Sequence, residues 1–347
     1  MIELLRELVE IESPTGDTRE LRDRMAAELR ALGADVVLDG EHVLAEIAGE
    51  GPPLLLLGHI DTVWSRGTLA TMPWRVDDGR AYGPGSYDMK GGLVVLLEAI
   101  RRAQTDRALR IVLTADEEIG SLTGRDVLAR AADGAAAAFV VEPPSSRGHL
   151  KTARKGLGRF RIRITGRSAH AGDPTGGASA IQELARLTLR LHALNDGAVS
   201  ANVGVVSGGT RENVVAAEAT LWLDVRAPTL AERDRLDELL RRLEPETPGT
   251  SIELEGGWTR PPLERSDGAA VLFARAREHG AALGLDLRET SAAGGSDGNL
   301  VGALGVPVLD GLGARGGGAH APDEHVLVDS LPVRADLLAA LLRDPGL

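Results

Sequence analysis

The 347-residue chain contains no cysteine. Disulfides, thiolate metal sites and cysteine nucleophiles are thereby excluded, and any metal must be held by His, Asp and Glu. Aromatic residues make up only 3% of the chain, which leaves little material for a stacking pocket and speaks against folate-like rings as ligands. Net positive charge is also missing: 39 Lys and Arg stand against 51 Asp and Glu, a formal charge of −12. Such a chain repels nucleic acids and membrane surfaces, which are themselves anionic, so neither is an expected partner. No stretch stays apolar for the roughly 18 residues that a membrane-spanning helix needs. The opening segment from Met1 to Ser13 reads as an acidic amphipathic helix rather than a cleavable targeting signal, and the expected location is the cytoplasm.

Glycine is what the chain has in excess: 43 of 347 residues, about 12% against a usual ~7%. The glycines follow no collagen-like repeat. Many cluster at 83–92, 166–177, 294–298 and 311–318, as turns and close backbone approaches require.

Two styles of patterning divide the chain. The first part alternates amphipathic helices (2–11, 17–32, 93–103, 122–132) with apolar strands (34–38, 42–47, 54–57, 109–114, 136–141). Uninterrupted apolar strands between helices indicate an α/β sheet buried on both faces. From Gly158 to Thr165 the pattern changes to strict alternation, with Arg159, Arg161 and Arg163 on one face and Phe160, Ile162 and Ile164 on the other. That predicts a half-exposed antiparallel strand. It is followed by a helix (178–194), strands (202–206, 219–225), a polar helix (230–243) and a strand near 251–254. After Pro261-Pro262 the first style returns, with a helix at 268–283, strands near 285–289 and 306–309, and a terminal helix from 331. The expected fold is an α/β mixed-sheet domain, residues 1–154 and 262–347, interrupted by an α+β, ferredoxin-like domain at 155–261.

The chemistry-bearing residues fall just beyond the carboxyl ends of the apolar strands, the edge at which open α/β sheets bind ligands. His59 and Asp61 follow 54–57, Glu117 and Glu118 follow 111–114, and Glu142 follows 139–141. Asp88 lies in Gly83-Pro-Gly-Ser-Tyr-Asp-Met-Lys-Gly-Gly92, before a helix. His320 lies in Gly316-Gly-Gly-Ala-His-Ala-Pro-Asp-Glu324. Taken singly, each suits a turn, a helix cap or a solvated surface. Converging on one edge, two His and several carboxylates form a donor set suited to Zn²⁺, Co²⁺ or Mn²⁺.

The motifs Gly58-His-Ile-Asp-Thr-Val63, Ala81 to Gly92, Asp116-Glu-Glu-Ile-Gly-Ser121, Val141-Glu-Pro143, Gly166-Arg-Ser-Ala-His-Ala-Gly172 and His320-Ala-Pro-Asp323 resemble, in order and over nearly the whole chain, the co-catalytic zinc hydrolases. That family includes glutamate carboxypeptidase, aminoacylase, acetylornithine deacetylase and succinyl-diaminopimelate desuccinylase. The stretch Arg66–Gly92, with Met72-Pro-Trp-Arg-Val, looks most like glutamate carboxypeptidase. The resemblance implies two Zn²⁺ ions, with Co²⁺ or Mn²⁺ as substitutes. Asp88 would bridge them, His59 and Glu142 would complete one site, and Glu118 and His320 the other. Asp61 would accept the other ring N–H of His59. Glu117 would be the general base. The Asp88–Met89 bond matches a position that is often cis in the family. His170 would stabilise the oxyanion from the partner subunit of a homodimer formed through the inserted lid domain. Asn213 and Arg226 would hold the substrate, and Lys155 and Arg260 an acidic side chain.

The window Pro143–Gly172 carries eight basic residues and no acid. It reads either as steering for an anionic substrate or as the wet face of a sheet. The expected activity is hydrolysis of an amide next to a free carboxylate, as in a metallocarboxypeptidase acting on a small peptide. The alternative is an N-acyl amino acid deacylase, which uses the same metal chemistry. Two further readings compete. Gly294-Gly-Ser-Asp-Gly298 fits the nucleophile elbow of a serine hydrolase, with Ser296, Asp310 and His320 in triad order. A non-catalytic binding protein would instead have lost a ligand or the base, and every position is filled.

Overall fold

The computed structural model describes residues 1–347. The chain forms two compact units. The first comprises Met1–Ala153, Arg265–Ala292 and Ser296–Leu347; the second comprises Arg154–Glu264 with Ala293–Gly295. The boundaries read from sequence, 155 and 261, differ from these by one to three residues and miss the short return of 293–295.

The first unit begins with α1 (Ile2–Glu10), α2 (Arg19–Ala31), β1 (Asp35–Asp39), β2 (His42–Ile47), β3 (Glu50–His59), β4 (Arg75–Asp77), β5 (Arg80–Tyr82), α3 (Gly91–Ala103), β6 (Arg107–Thr114), α4 (Gly124–Ala132), β7 (Ala137–Val140) and β8 (Leu150–Arg154). The second contributes β9 (Gly156–Thr165), α5 (Ala180–His192), β10 (Ser200–Gly208), β11 (Glu218–Ala227), α6 (Leu230–Arg241) and β12 (Ser251–Arg260). The first then resumes with α7 (Asp267–Ala282), β13 (Glu289–Ala292), α8 (Asp297–Gly302), β14 (Val308–Leu309), β15 (Gly316–Gly317), β16 (His325–Leu327) and α9 (Ser330–Arg343).

The main sheet of the first unit has the order β1-β2-β6-β3-β7-β14. β6, β3, β7 and β14 run parallel, and β2 and β1 are antiparallel additions at one side. Leu54, Leu55, Leu56 and Leu57 in β3 are all fully buried. Leu54 and Leu56 join the large core with α1, α2, α3 and α9, so the alternate pair, Leu55 and Leu57, faces the other side of the sheet. Burial on both faces is the reason the strand is continuously apolar. Each such leucine stabilises the fold by about 1.5–3 kcal/mol. Because the four strands β6, β3, β7 and β14 are parallel, their carboxyl ends share one edge.

Two glycines tighten that edge. A Cβ on Gly92 would stand 2.0 Å from the Val141 carbonyl oxygen, and one on Gly313 would stand 2.2 Å from the same oxygen. α3 and the loop after β14 can therefore both press on the segment that presents Glu142.

The second unit is a β-α-β-β-α-β sandwich with antiparallel order β10-β11-β9-β12. Phe160, Ile162 and Ile164 of β9 are buried with Leu187 and Leu191 of α5 and Leu236 and Leu240 of α6. Ser179 and Thr229 start the two helices by accepting the amides of Gln182 and Glu232. On the open face Arg161 and Arg163 lie 3.5–3.7 Å from Glu253 and Glu255 of β12. That ion-paired ladder is the wet sheet face.

Two features depart from expectation. Residues 285–288 are not a strand: Leu287 is buried, its side chain lying where a Cβ on Gly280 of α7 would be, and the ladder with β8 begins only at Glu289. A small sheet, β15-β16-β5-β4, was not foreseen. Its strands are two or three residues long, too short to show a period. No helix is long and apolar enough to cross a membrane.

The close approaches at Val141 make a stability prediction. Gly92→Ala and Gly313→Ala should each destabilise by about 1–3 kcal/mol or more through overpacking. Gly176→Ala meets nothing within 4 Å and should stay within about 0.5 kcal/mol of the parent. Urea unfolding midpoints for the three variants check the contrast.

Candidate metal centre

His59 ends β3 and is 2% exposed. Its Nε2 lies 3.2 Å from Asp88 Oδ1 and 3.7 Å from Glu142 Oε1. His320 sits in the loop between β15 and β16 and has a left-handed backbone, φ 61°, uncommon outside glycine. Its Nε2 lies 3.4 Å from both Asp88 Oδ2 and Glu118 Oε2. Asp88 thus turns one oxygen to each imidazole. The Asp88–Met89 peptide is cis, as the motif implied. Glu117 and Glu118 occupy a single 3₁₀ turn after β6. Glu117 offers an oxygen within 4.8 Å of donor atoms of His59 and Glu142.

The donors fit a pair of divalent cations. Donors arranged tetrahedrally at roughly 2.0–2.1 Å from an ion lie roughly 3.3 Å from one another, close to the separations between His59, Asp88, His320 and Glu118. Glu118 Oε1 is buried and has no hydrogen-bond partner, an orphaned acceptor that a cation would satisfy. The electrostatics agree. Burial works against a charge on His59, but Asp61 and Asp88 outweigh it and hold its pKa well above the usual imidazole range. Pairing with Asp88 and Glu118 raises His320 to about 10. Burial would raise Asp88, yet the two imidazoles hold it well below the usual carboxylate range. A cluster that draws protons onto both of its imidazoles has a surplus of negative potential.

Asp61 is fully buried and lies beside His59 with both its backbone carbonyl and its carboxylate. His59 Nδ1 lies 2.9 Å from the backbone carbonyl of Asp61 and 3.4 Å from the carboxylate. The turn after β3 brings the i+2 carbonyl closer to the ring than the carboxylate. The carboxylate also accepts the amides of Glu117 (3.1 Å) and Glu118 (3.2 Å) and the Thr15 hydroxyl (2.8 Å). It holds the turn that presents both glutamates.

One residue escaped the sequence reading. Glu324 is fully buried and accepts hydrogen bonds from Trp64 Nε1 and from the amides of Gly85, Tyr87 and Asp88, at 2.7–2.9 Å. The only hint in the sequence was its place four residues after His320. Lys90, also buried, donates to the Ile11 carbonyl at 2.8 Å. Burial lowers its pKa to about 7 despite Glu324 and Glu12 nearby.

His170, Asn213, Arg226, Lys155 and Arg260 all belong to the second unit. His170 is exposed, and its Nδ1 accepts the Gly172 amide at 3.0 Å. That bond places the ring proton on Nε2. Asn213 lies beside it, because Ala171 N donates to the Asn213 carbonyl and Val215 N to that of Ala169. Arg226 is not an open fork: Nε and Nη2 grip Asp224 at 2.7 and 3.2 Å, and Nη1 reaches the Ala293 carbonyl at 3.3 Å. Arg260 is 2% exposed and packs against Gly295, so it offers no open cation. Lys155 is half-buried and has a partner within the protein.

Ser296 is no nucleophile. It is fully buried, caps α8 by accepting the Gly298 amide in a capping box with Asn299, and donates to Asp310 at 2.7 Å. His320, its expected partner, faces Asp88 and Glu118 instead.

Comparison with known proteins agrees with this geometry. Across its full length the chain is 31% identical to carboxypeptidase G2 from a Pseudomonas species, covering 89% of that protein. It is also 31% identical to acetylornithine deacetylase from Photorhabdus laumondii, over 70% of this chain and 72% of the relative. In fold it is similar to the aminopeptidase PepT of Bacillus cereus, with a TM-score of 0.84 at 22% identity, covering 100% of this chain and 98% of that one. Residues 55–344 match peptidase family M20/M25/M40, and the chain belongs to that family of hydrolases.

Proposed function

We propose that the protein is a dinuclear zinc metallocarboxypeptidase that cleaves the amide bond next to a free carboxylate in small peptides. The observation that carries this reading is Asp88, which shows one carboxylate oxygen to His59 and the other to His320, with Glu142 and Glu118 alongside. The full-length similarity to a carboxypeptidase supports peptides as substrates. A second reading, N-acyl amino acid deacylation, is favoured by the similarity to acetylornithine deacetylases.

His59, Asp88 and Glu142 would hold one ion, and His320, Asp88 and Glu118 the other. When bound, such ions would polarise the scissile carbonyl and lower the pKa of bound water toward ~7. Glu117 takes one proton from the attacking water at its carboxylate. The water oxygen bonds to the carbonyl carbon, the C–N bond breaks, and Glu117 delivers the proton to the leaving amine. Asp61 fixes Glu117 through its backbone amide, so the base and its neighbour Glu118 move as one piece. His170, with its proton on Nε2, donates to the developing oxyanion from the partner subunit of a homodimer formed through the second unit. Arg226 and Asn213 hold the substrate carboxylate, Arg226 with Asp224 already in its fork and Nη1 on the Ala293 carbonyl. Lys155 and Arg260 act at most behind that contact.

Four outcomes test the reading. Removing metal with a chelator should abolish hydrolysis of a panel of C-terminal dipeptides and N-acyl amino acids, and Zn²⁺ or Co²⁺ should restore it. Activity untouched by a chelator would sink the metal assignment. Glu117→Gln should lower kcat by roughly 10²–10⁴-fold while metal content, read by atomic emission, stays at the parental level. Asp61→Asn turns an acceptor into a donor facing two amides, and should weaken metal binding roughly 10–100-fold; a normal titration would refute its role. Mixed dimers of Glu117→Ala and His170→Ala chains should regain activity that neither parent has, and inert hybrids would place His170 in its own chain's site.

A further inference from the structure

We propose that Glu324 is the positioning residue that holds Asp88, acting on its backbone rather than on its carboxylate. The inference rests on the reading of Asp88 as the shared ligand. The turn that carries Asp88 is irregular. Residues 86–90 are interrupted by non-helical dihedrals at Asp88 (φ −116°, ψ 94°) and Met89 (φ −133°, ψ 35°). The first amides of such a short turn have no carbonyl of their own turn to bond, and an unpaired amide in a buried place is strongly disfavoured. The amides of Ser86 and Lys90 still find carbonyls, those of Gly83 and Gly85. The amides of Gly85, Tyr87 and Asp88 go instead to Glu324: Oε2 takes Gly85 at 2.9 Å, and Oε1 takes Tyr87 and Asp88 at 2.9 Å each. One carboxylate caps the first amides of the turn, which no helix can satisfy with its own carbonyls.

The fourth donor extends the clamp. Trp64 Nε1 reaches Oε2 at 2.7 Å, and Trp64 lies five residues after His59. Glu324 itself ends the loop that bears His320. That loop is closed by Ala321 N on the Gly318 carbonyl at 2.8 Å and Glu324 N on the Ala321 carbonyl at 3.0 Å. A single buried side chain therefore joins the segments bearing His59, Asp88 and His320. Charge-assisted bonds to four N–H groups are the strong kind. They hold a ligand with no contact to the ligand's own oxygens, which stay free for cations.

The test compares Glu324→Gln with the parent, metal-free and Co²⁺-loaded. Glutamine keeps the volume but turns one acceptor into a donor that faces N–H groups. In metal-free protein, amide exchange at Gly85, Tyr87 and Asp88 should accelerate at least roughly tenfold, with α3, α9 and the second unit unchanged. Co²⁺ affinity, by calorimetry and visible absorption, should fall roughly 10–100-fold. In the loaded enzyme kcat should fall with KM held within about twofold, because substrate contacts are untouched. Glu324→Asp should recover part of the affinity by restoring the charge. Trp64→Phe, which removes one donor and keeps the ring, should weaken Co²⁺ roughly two- to fivefold. It decides the matter if Glu324→Gln does not fold. Parental exchange at 85–88, or parental Co²⁺ affinity, in the decisive variant overturns the proposal. A wild-type protein that binds Co²⁺ but cleaves none of the panel would defeat the proposed substrates, while exchange and affinity still judge Glu324.

Discussion

Carboxylates crowd the carboxyl edge of the parallel strands, and their mutual repulsion is the constraint that the surrounding structure answers. Two different answers are visible. Asp61 and Glu324 are fully buried and surrounded by N–H donors, so their charge is absorbed by fixed dipoles of the protein. Asp88, Glu118 and Glu142 instead face imidazoles across 3.2–3.7 Å, and Glu118 keeps a buried oxygen without a donor. The first kind stiffens the frame. The second leaves negative potential where divalent cations can use it.

The fold serves that division. Parallel strands end at one edge, so residues as distant in sequence as His59 and Glu142 arrive side by side without long loops. The close approach of Gly92 and Gly313 to one carbonyl lets a helix and a loop brace the Glu142 segment from two directions. Asp61 couples the end of β3 to the turn after β6, and Glu324 couples the Asp88 turn to the His320 loop. The donor cluster is held mostly through backbone amides, which have far fewer ways to rearrange than side chains.

Much of this could be read in the chain before any coordinates. The four leucines of β3 announced a strand covered on both faces. The Arg/Phe/Ile alternation of 158–165 announced a sheet open on one face. The residues beyond the strand ends were marked by their chemistry. Other features had no local signal. The small sheet has strands too short to show a period. The pairing of Arg226 with Asp224 depends on rotamers, and the i, i+2 spacing is equally compatible with two open side chains. Asp61 is legible as a neighbour of His59, but its bonds to the amides of Glu117 and Glu118 have no sequence signal, because they join the ends of two different strands. Glu324 has no sequence signal because its donors, three main-chain amides and one indole, lie more than 230 residues away. Ser296 was the opposite case: a motif written in side chains whose meaning, a helix cap, was set by burial.

The loop from Gly318 to Glu324 carries two different kinds of anchor. His320 points its ring nitrogen at the carboxylates, and four residues later Glu324 grips the frame from within. The interval between them acts as a ruler. Substitutions at Ala321, Pro322 or Asp323 leave the ruler's length alone, whereas inserting or deleting a single residue would shift His320 by more than 3 Å against a frame that cannot follow. What this loop preserves is its length, and its role is that of a spacer cut to measure.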